Sequence, residues 1–465
     1  MARFRTIALA VALAVAGTAA SNSKVRITPG SAIIDGFSPN IVISGLSPQA
    51  RVRIHSFAGL ERWERGPDGL YRPAREDYHG WADIVADPAG RVAMDRAVVR
   101  RGTYAGVDGY GLFWSMRRAG DPALAGTLSP PVSTPLGVTR IIVERAGQLL
   151  GSADLTIAEP AGLSVRTIAD GALNGVFAAP AGKVRLPTIL LLHGSEGGGQ
   201  ASARALATRF AGQGYAAFAL NYFAWDFNNL QGVPNIHVNQ PIELIDQVRG
   251  WLVQQPEVDG RRMALYGQSK GAEYAEVAAV RYPWVKAVVA CVGTDSVWEG
   301  YGIGDGRARQ PAGFVPPAQI SSWSWLGEPL PYIKLQPWVE GKWFDNKARY
   351  EAGRAADPAG AAAAAIPLEQ SAAKFLLLGS LRDEVWASGA MTQRLAVRLR
   401  RNGKAAQVAT RVFAKAGHQI CGSGADLAYA NAPPSSDPRT KDPAAEGAAT
   451  VQAWHATTAF LKRTL

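Results

Sequence analysis

The chain has 465 residues, 47% hydrophobic and 19% charged, a globular profile with room for two or three domains and a large core. Its net charge of +11 would suit anionic substrates, nucleic acid or a membrane surface. No basic run exceeds three residues and no nucleic-acid motif is present, which argues against nucleic acid as a partner. Two cysteines, Cys291 and Cys421, exclude a disulfide scaffold.

The first residues read as an export signal. Arg3 and Arg5 precede an apolar run of ten over residues 7–16, and Thr18, Ala19 and Ala20 offer small residues for cleavage before Ser21. That run is too short to cross a bilayer comfortably, and no other stretch looks transmembrane. With residues 1–20 removed, a secreted or periplasmic protein without a stable membrane span is expected.

Residues 25–160 read as β structure. Short alternating runs at 25–27, 40–43, 52–55, 90–94, 111–115 and 140–144 are separated by Gly, Pro and Asp, with no sustained helical period. Six or seven short strands of this kind fit an antiparallel sandwich.

The pattern changes near Pro160-Ala161-Gly162. From there strands are expected at 187–192, 215–220, 263–266, 285–292, 374–378 and 408–413, and helices at 201–212, 241–255, 272–281, 390–401 and 450–465. The alternation predicts an α/β domain over residues 161–465 with a mostly parallel, doubly wound sheet. Residues 293–365 interrupt it with a Pro- and Gly-rich insertion. It holds five of the 13 tryptophans: Trp298, Trp323, Trp325, Trp338 and Trp343. A long irregular segment with this aromatic content reads as a cap over a site, supplying apolar contacts, or as a surface excursion with its own small core. Residues 422–446 read as a loop leading into the last helix.

The strongest chemical signal is Gly267-Gln268-Ser269-Lys270-Gly271, a G-x-S-x-G between an expected strand and an expected helix. A serine hydroxyl is a poor nucleophile unless it is held on a sharp turn beside a base, and small residues at 267 and 271 permit that turn. On such a sheet the acid and then the histidine follow the serine. Asp383 and Glu384 follow the strand expected at 374–378, and His418 follows the one at 408–413. Both places are strand C-terminal ends, where ligand sites of open α/β sheets form. Asp383 follows its turn more directly than Glu384 and is the preferred acid.

Of the six histidines, only His418 combines chain order with strand-end placement. His55 and His79 lie in the β region, His237 in a loop and His455 in the last helix. His193 opens the stretch His193-Gly194-Ser195-Glu196-Gly197-Gly198-Gly199, whose glycines leave amides unshielded. The expected oxyanion donors are the Lys270 N–H and one from this loop, Ser195 or Glu196. The loop lacks the G-K-[ST] ending of a phosphate cradle, so no nucleotide is expected. No metal-ligand spacing appears, and neither metal nor cofactor is expected. Cys291 and Cys421 both fall near the C-terminal rim of the expected sheet, and whether they pair is open.

Several stretches together resemble the acyl-CoA thioesterase / bile acid-CoA:amino acid N-acyltransferase family. They are the run from Tyr266 through Ser269 to Glu273, the run from Tyr104 to Ser115, residues 187–199, Gly417-His418 and Ala453-Trp454. The resemblance covers most of residues 25–465. It implies an immunoglobulin-like sandwich followed by an α/β hydrolase, with the triad on Ser269, Asp383 and His418. Family members that conjugate acyl groups to amino acids tend to carry Cys at the nucleophile, and hydrolysing members Ser. An acyl-cysteine is susceptible to an amine, whereas an acyl-serine is resolved by activated water, so Ser269 favours hydrolysis.

The function expected is therefore an exported serine hydrolase acting on a small-molecule acyl thioester or ester through an acyl-serine. Free acyl-CoA is a cytoplasmic metabolite, so export leaves other leaving groups open. The alternatives are a carboxylesterase or peptidase-type hydrolase, an acyl-CoA:amino acid N-acyltransferase, and a non-enzymatic binding protein on a hydrolase scaffold. The oligomeric state is not legible.

Overall fold

The computed structural model describes residues 25–65, 71–124, 133–225, 228, 230–301, 317–337, 346–424 and 442–465. The expected export signal at 1–20 lies outside them. Every described strand between residues 26 and 158 pairs only within that region. Arg26–Thr28, Val42–Ser44 and Val92–Ala93 form a three-stranded sheet, and seven further strands form a second one. Ile41, Ile43, Ile54, Ile84, Ile141 and Val143 are buried in a common core. The backbone of the second sheet is a hairpin in which Arg51–Arg65 pairs with Tyr71–Val85 along its whole length.

Expected runs at 25–27, 40–43, 52–55, 90–94 and 140–144 all fall on strands. The run at 111–115 does not. Gly111–Trp114 is a single helical turn, with all four residues buried. Asp108 curls the chain there: one carboxylate oxygen accepts from Tyr110 N at 2.8 Å and the other from Trp114 Nε1 at 3.1 Å. A short apolar run carries neither period clearly, so this local tie decides its form. The second hairpin arm, Tyr71–Val85, escaped the sequence reading because it is polar and contains Pro73 and Gly80. Among the described residues Pro73 is paired on one side only, a setting that tolerates a missing N–H.

The rest of the chain builds an eight-stranded sheet. Its strands are β1 (Leu163–Asp170), β2 (Leu173–Pro180), β3 (Leu186–Leu192), β4 (Ala216–Leu220), β5 (Val258–Gln268), β6 (Val285–Cys291), β7 (Lys374–Ser380) and β8 (Val408–Phe413). Their order is β1-β2-β4-β3-β5-β6-β7-β8. β2 runs antiparallel to both neighbours, and all other pairs are parallel. The apolar runs that announce the central strands are buried on both faces, as parallel strands between helix layers must be; Ile189, Leu190, Leu191 and Leu192 are each at 0% exposure. The flanking helices are α1 (Gln200–Gly212), α2 (Glu243–Leu252), α3 (Lys270–Arg281), α6 (Ser388–Arg401) and α7 (Pro443–Thr464). This is the α/β-hydrolase arrangement. The antiparallel pair β1–β2 is the part the sequence reading left out. α7 begins at Pro443, so the end of the loop expected over 422–446 is helical; residues 425–441 lie outside the described set.

The insertion at 293–365 contributes strands Glu299–Tyr301, Pro317–Ser321, Trp323–Trp325 and Glu328–Pro329, then α4 (Asn346–Ala356) and α5 (Pro358–Ala363). Trp298 and Trp323 are at 0% exposure. Trp323 stacks on Tyr274 of α3 at 4.3 Å. These two rings are core residues, and their indole N–H groups have buried partners in Thr294 Oγ1 and Glu273 Oε1. Trp338 and Trp343 lie outside the described residues. Among the described residues no helix is long and apolar enough to cross a membrane.

Candidate active site

Ser269 stands between the end of β5 and the start of α3, at φ 52° and ψ −119°. A non-glycine residue rarely adopts that backbone, and such strain persists only where surroundings impose it. Here the surroundings are close. A Cβ at Gly267 would lie 2.1 Å from Gly271 O, and one at Gly271 would lie 2.2 Å from Leu192 O. The two small residues expected from the motif are therefore sterically required. Ser269 N donates to Cys291 O at 2.9 Å, tying the turn to β6. The next residue, Val292, has φ 46°, an outlier for a β-branched side chain. Its carbonyl accepts from Trp386 Nε1 at 3.0 Å.

The structure brings Ser269, His418 and Asp383 together. His418 Nε2 lies 3.0 Å from Ser269 Oγ, and His418 Nδ1 lies 2.9 Å from Asp383 Oδ2. Asp383 is 1% exposed, and its other oxygen accepts from Val385 N at 2.9 Å and Trp386 N at 3.1 Å. The carboxylate of Glu384 accepts from the backbone N of His418 at 3.2 Å. One carboxylate therefore orients the ring and its neighbour holds the loop.

The loop at 193–199 passes directly beside the serine, since a Cβ at Gly194 would lie 3.2 Å from Ser269 Cβ. Glu196 Oε1 accepts from Gly194 N at 2.9 Å and from Gln268 Nε2 at 2.6 Å, joining this loop to the elbow. Gly197 N and Gly198 N are also committed, to Gly194 O and Phe223 O. Among the described residues the amides of Ser195 and Glu196 donate to no other group. With Lys270 N at the head of α3, they are the expected donors around the serine.

The other histidines are elsewhere or otherwise engaged. His193 stacks on Tyr222 at 4.2 Å, and burial lowers its pKa. His237 is buried against Phe223 and Trp323, and burial pushes its pKa well down. His55 and His79 pair with each other in the N-terminal region, and His455 lies on α7.

Sequence reasoning left the cysteine pairing open and missed the other ties that hold the histidine loop. Cys421 is disulfide-bonded to Cys291 across 130 residues, with Cα atoms 6.0 Å apart. Gln419 N donates to Glu446 Oε1 of α7 at 2.9 Å. Ser423 Oγ donates at 2.8 Å to Asp35 of the N-terminal region, whose other oxygen meets Arg209 Nε at 2.8 Å. Gly36 O accepts from Trp454 Nε1 at 2.9 Å, and Val451 of α7 packs into the N-terminal core. The β region thus reaches the histidine loop directly and through α7. Among the described residues no group of three His, Cys, Asp or Glu is placed to hold a metal ion.

Sheet order and elbow define an α/β hydrolase. The chain belongs to the acyl-CoA thioester hydrolase/BAAT family: residues 38–156 match its N-terminal region and residues 241–465 its C-terminal region. It is similar to human acyl-coenzyme A thioesterase 2, mitochondrial, at 26% identity over 238 residues, 50% of this chain and 45% of that protein. It thus spans about half the length of that relative. The mouse acyl-coenzyme A thioesterase 2, mitochondrial, is 24% identical over 92% of this chain and 86% of its own. Human bile acid-CoA:amino acid N-acyltransferase is 24% identical over 82% of this chain and 83% of its own.

Proposed function

We propose that this protein is an exported serine hydrolase that cleaves acyl thioesters through an acyl-serine intermediate. The observation that carries the reading is the hydrogen-bonded line from Ser269 Oγ through His418 to Asp383, on a strained strand-to-helix turn. Family membership and the names of the relatives support a thioester as substrate.

Asp383 accepts from Nδ1–H and so fixes the tautomer whose unprotonated Nε2 faces Ser269 Oγ. Ser269 Oγ bonds to the acyl carbon as its proton passes to His418 Nε2. The carbonyl electrons move onto oxygen, which meets Lys270 N–H and the N–H of Ser195 or Glu196. The C–S bond then breaks, and the departing sulfur takes the proton from His418. Water attacks the acyl-serine, gives its proton to Nε2, and Ser269 leaves reprotonated, releasing the carboxylic acid. An oxygen ester waits for activated water rather than an amine, which favours hydrolysis over amino-acid conjugation.

Export is supported by the character of residues 1–20 and by the Cys291–Cys421 bridge, since disulfides persist in oxidising compartments. N-terminal sequencing of protein recovered from periplasm or medium should begin at Ser21; an intact Met1 on cytoplasmic protein would refute it. For the chemistry, wild type and Ser269→Ala are compared on acyl-CoAs, simple thioesters and p-nitrophenyl esters. Thioester turnover that disappears in the variant is expected. Undiminished turnover without the hydroxyl, or acyl transfer to an amino acid faster than hydrolysis, would overturn the proposal.

A further inference from the structure

Beneath the elbow lies a charge pair that the acyl-transfer steps do not use. Lys270 and Glu273 sit in the first turn of α3, with side chains 1% and 0% exposed. Lys270 Nζ lies 2.6 Å from Glu273 Oε2. Glu273 Oε1 accepts two further bonds, from Trp298 N at 2.9 Å and from Trp323 Nε1 at 2.8 Å. Lys270 Nζ also lies 5.6 Å from the Trp323 ring centre. Both tryptophans belong to the insertion at 293–365, on segments 25 positions apart in the chain. Two pieces of the insertion thus converge on one carboxylate, one turn beyond the nucleophile.

Net stability is a poor explanation for such a pair. Removing each charge from water costs several kcal/mol, and apolar side chains of similar volume commonly do as well. Burial lowers the pKa of Lys270 and raises that of Glu273, and the opposite charge of each partner counters that push. What a fully bonded buried carboxylate does supply is a unique geometry. Geometry is what this turn needs. Ser269 is held at positive φ, and the next amide, that of Lys270, must point at the developing oxyanion.

We propose that Lys270 and Glu273 are positioning residues that lock the insertion onto the first turn of α3 and thereby fix the Ser269 backbone and the Lys270 amide. This rests on the acyl-serine reading. Lys270 acts on the substrate only through its backbone; its side chain and Glu273 act through the turn.

The test is the double variant Lys270→Met/Glu273→Leu, which removes both charges and leaves neither alone in the core. Expected is a melting temperature within a few degrees of wild type, kcat lowered about ten- to hundredfold and KM within about twofold. The rate at which a fluorophosphonate probe labels Ser269 should fall in step with kcat, because phosphonylation draws on the same amides. A merely structural pair would leave kcat and labelling rate intact in a folded variant. Native-like kcat and labelling at native-like stability overturn the proposal. Should the double variant fail to fold, Trp323→Phe removes one donor to Glu273 while keeping an aromatic ring. A several-fold loss of kcat at unchanged KM is expected there, and wild-type labelling overturns the proposal. Wild-type protein that neither labels nor hydrolyses thioesters would defeat the acyl-serine reading itself, and this inference with it.

Discussion

His418 in the hydrolase domain and the His55–His79 pair in the N-terminal region are all buried, at 7%, 0% and 3% exposure. Their surroundings differ in kind. His418 has a buried carboxylate on one nitrogen and a hydroxyl on the other. His55 Nδ1 and His79 Nε2 meet each other at 2.9 Å, and His79 stacks on Phe57 at 4.4 Å. A carboxylate, on Glu144, lies 3.5 Å from His55 Nε2, while Arg53 and Asp83 form their own pair nearby. Burial, with a lesser push from positive neighbours, lowers His55 to about 4 and His79 to about 3. Burial alone makes a histidine a neutral packing residue. A carboxylate aimed at one nitrogen gives the ring a fixed tautomer and a partner for its charge.

The comparison can be broken most sharply at the serine. Ser269→Ala should lower kcat/KM by at least about 10⁴-fold, whereas His79→Phe should leave it within about twofold; steady-state ester and thioester kinetics decide. Next, Asp383→Asn should lower kcat about 10²- to 10⁴-fold by losing the tautomer, while Glu384→Gln, acting on the loop backbone, should cost less than tenfold. Equal losses would erase the distinction drawn between the two carboxylates.

Stability effects come next. Cys291→Ser/Cys421→Ser should lose about 2–4 kcal/mol in urea unfolding, because the bridge closes a long loop. Unchanged unfolding would show that the bridge contributes nothing. The histidine pair should show in the acid limb. Its folded pKa values lie below the ordinary 6.5, so from pH 6.5 down to about 4 for His55 and about 3 for His79 the unfolded chain binds more protons. The contribution is fully present above pH 6.5 and is lost as pH falls, by up to about 1.4 kcal/mol per pH unit for each histidine. His79→Phe should flatten that slope, and an unchanged slope would place the acid sensitivity elsewhere. The smallest effect is expected at the contact between regions: Asp35→Asn should cost about 1 kcal/mol and a few-fold in kcat. It weakens the ion pair with Arg209 and perturbs the bond to Ser423.

Much of the hydrolase sheet is legible because parallel strands buried on both faces read as continuous apolar runs. Strands β3 to β7 contain such runs, whereas the edge strand β8 carries Thr410 and Arg411 and is largely exposed. The edge strand β1 is not, since half-exposed residues of Leu163–Asp170 carry no such run; β2 is buried, but its apolar run is only Val176 to Ala179. The turn Gly111–Trp114 shows the same limit, because one aspartate outweighs local pattern.

Chain order and strand ends were enough to nominate Ser269, Asp383 and His418, since a sheet of this kind delivers loops after successive strands to one rim. The small residues at 267 and 271 were equally legible, because a sharp strand-to-helix turn leaves no room for a side chain. Only the tertiary structure chose which carboxylate faces the ring, joined Cys291 to Cys421, and drew Trp298 and Trp323 onto Glu273. Local sequence records which face of an element is apolar. Which polar groups meet across 25 to 149 residues depends on how sheet order and packing bring distant loops together.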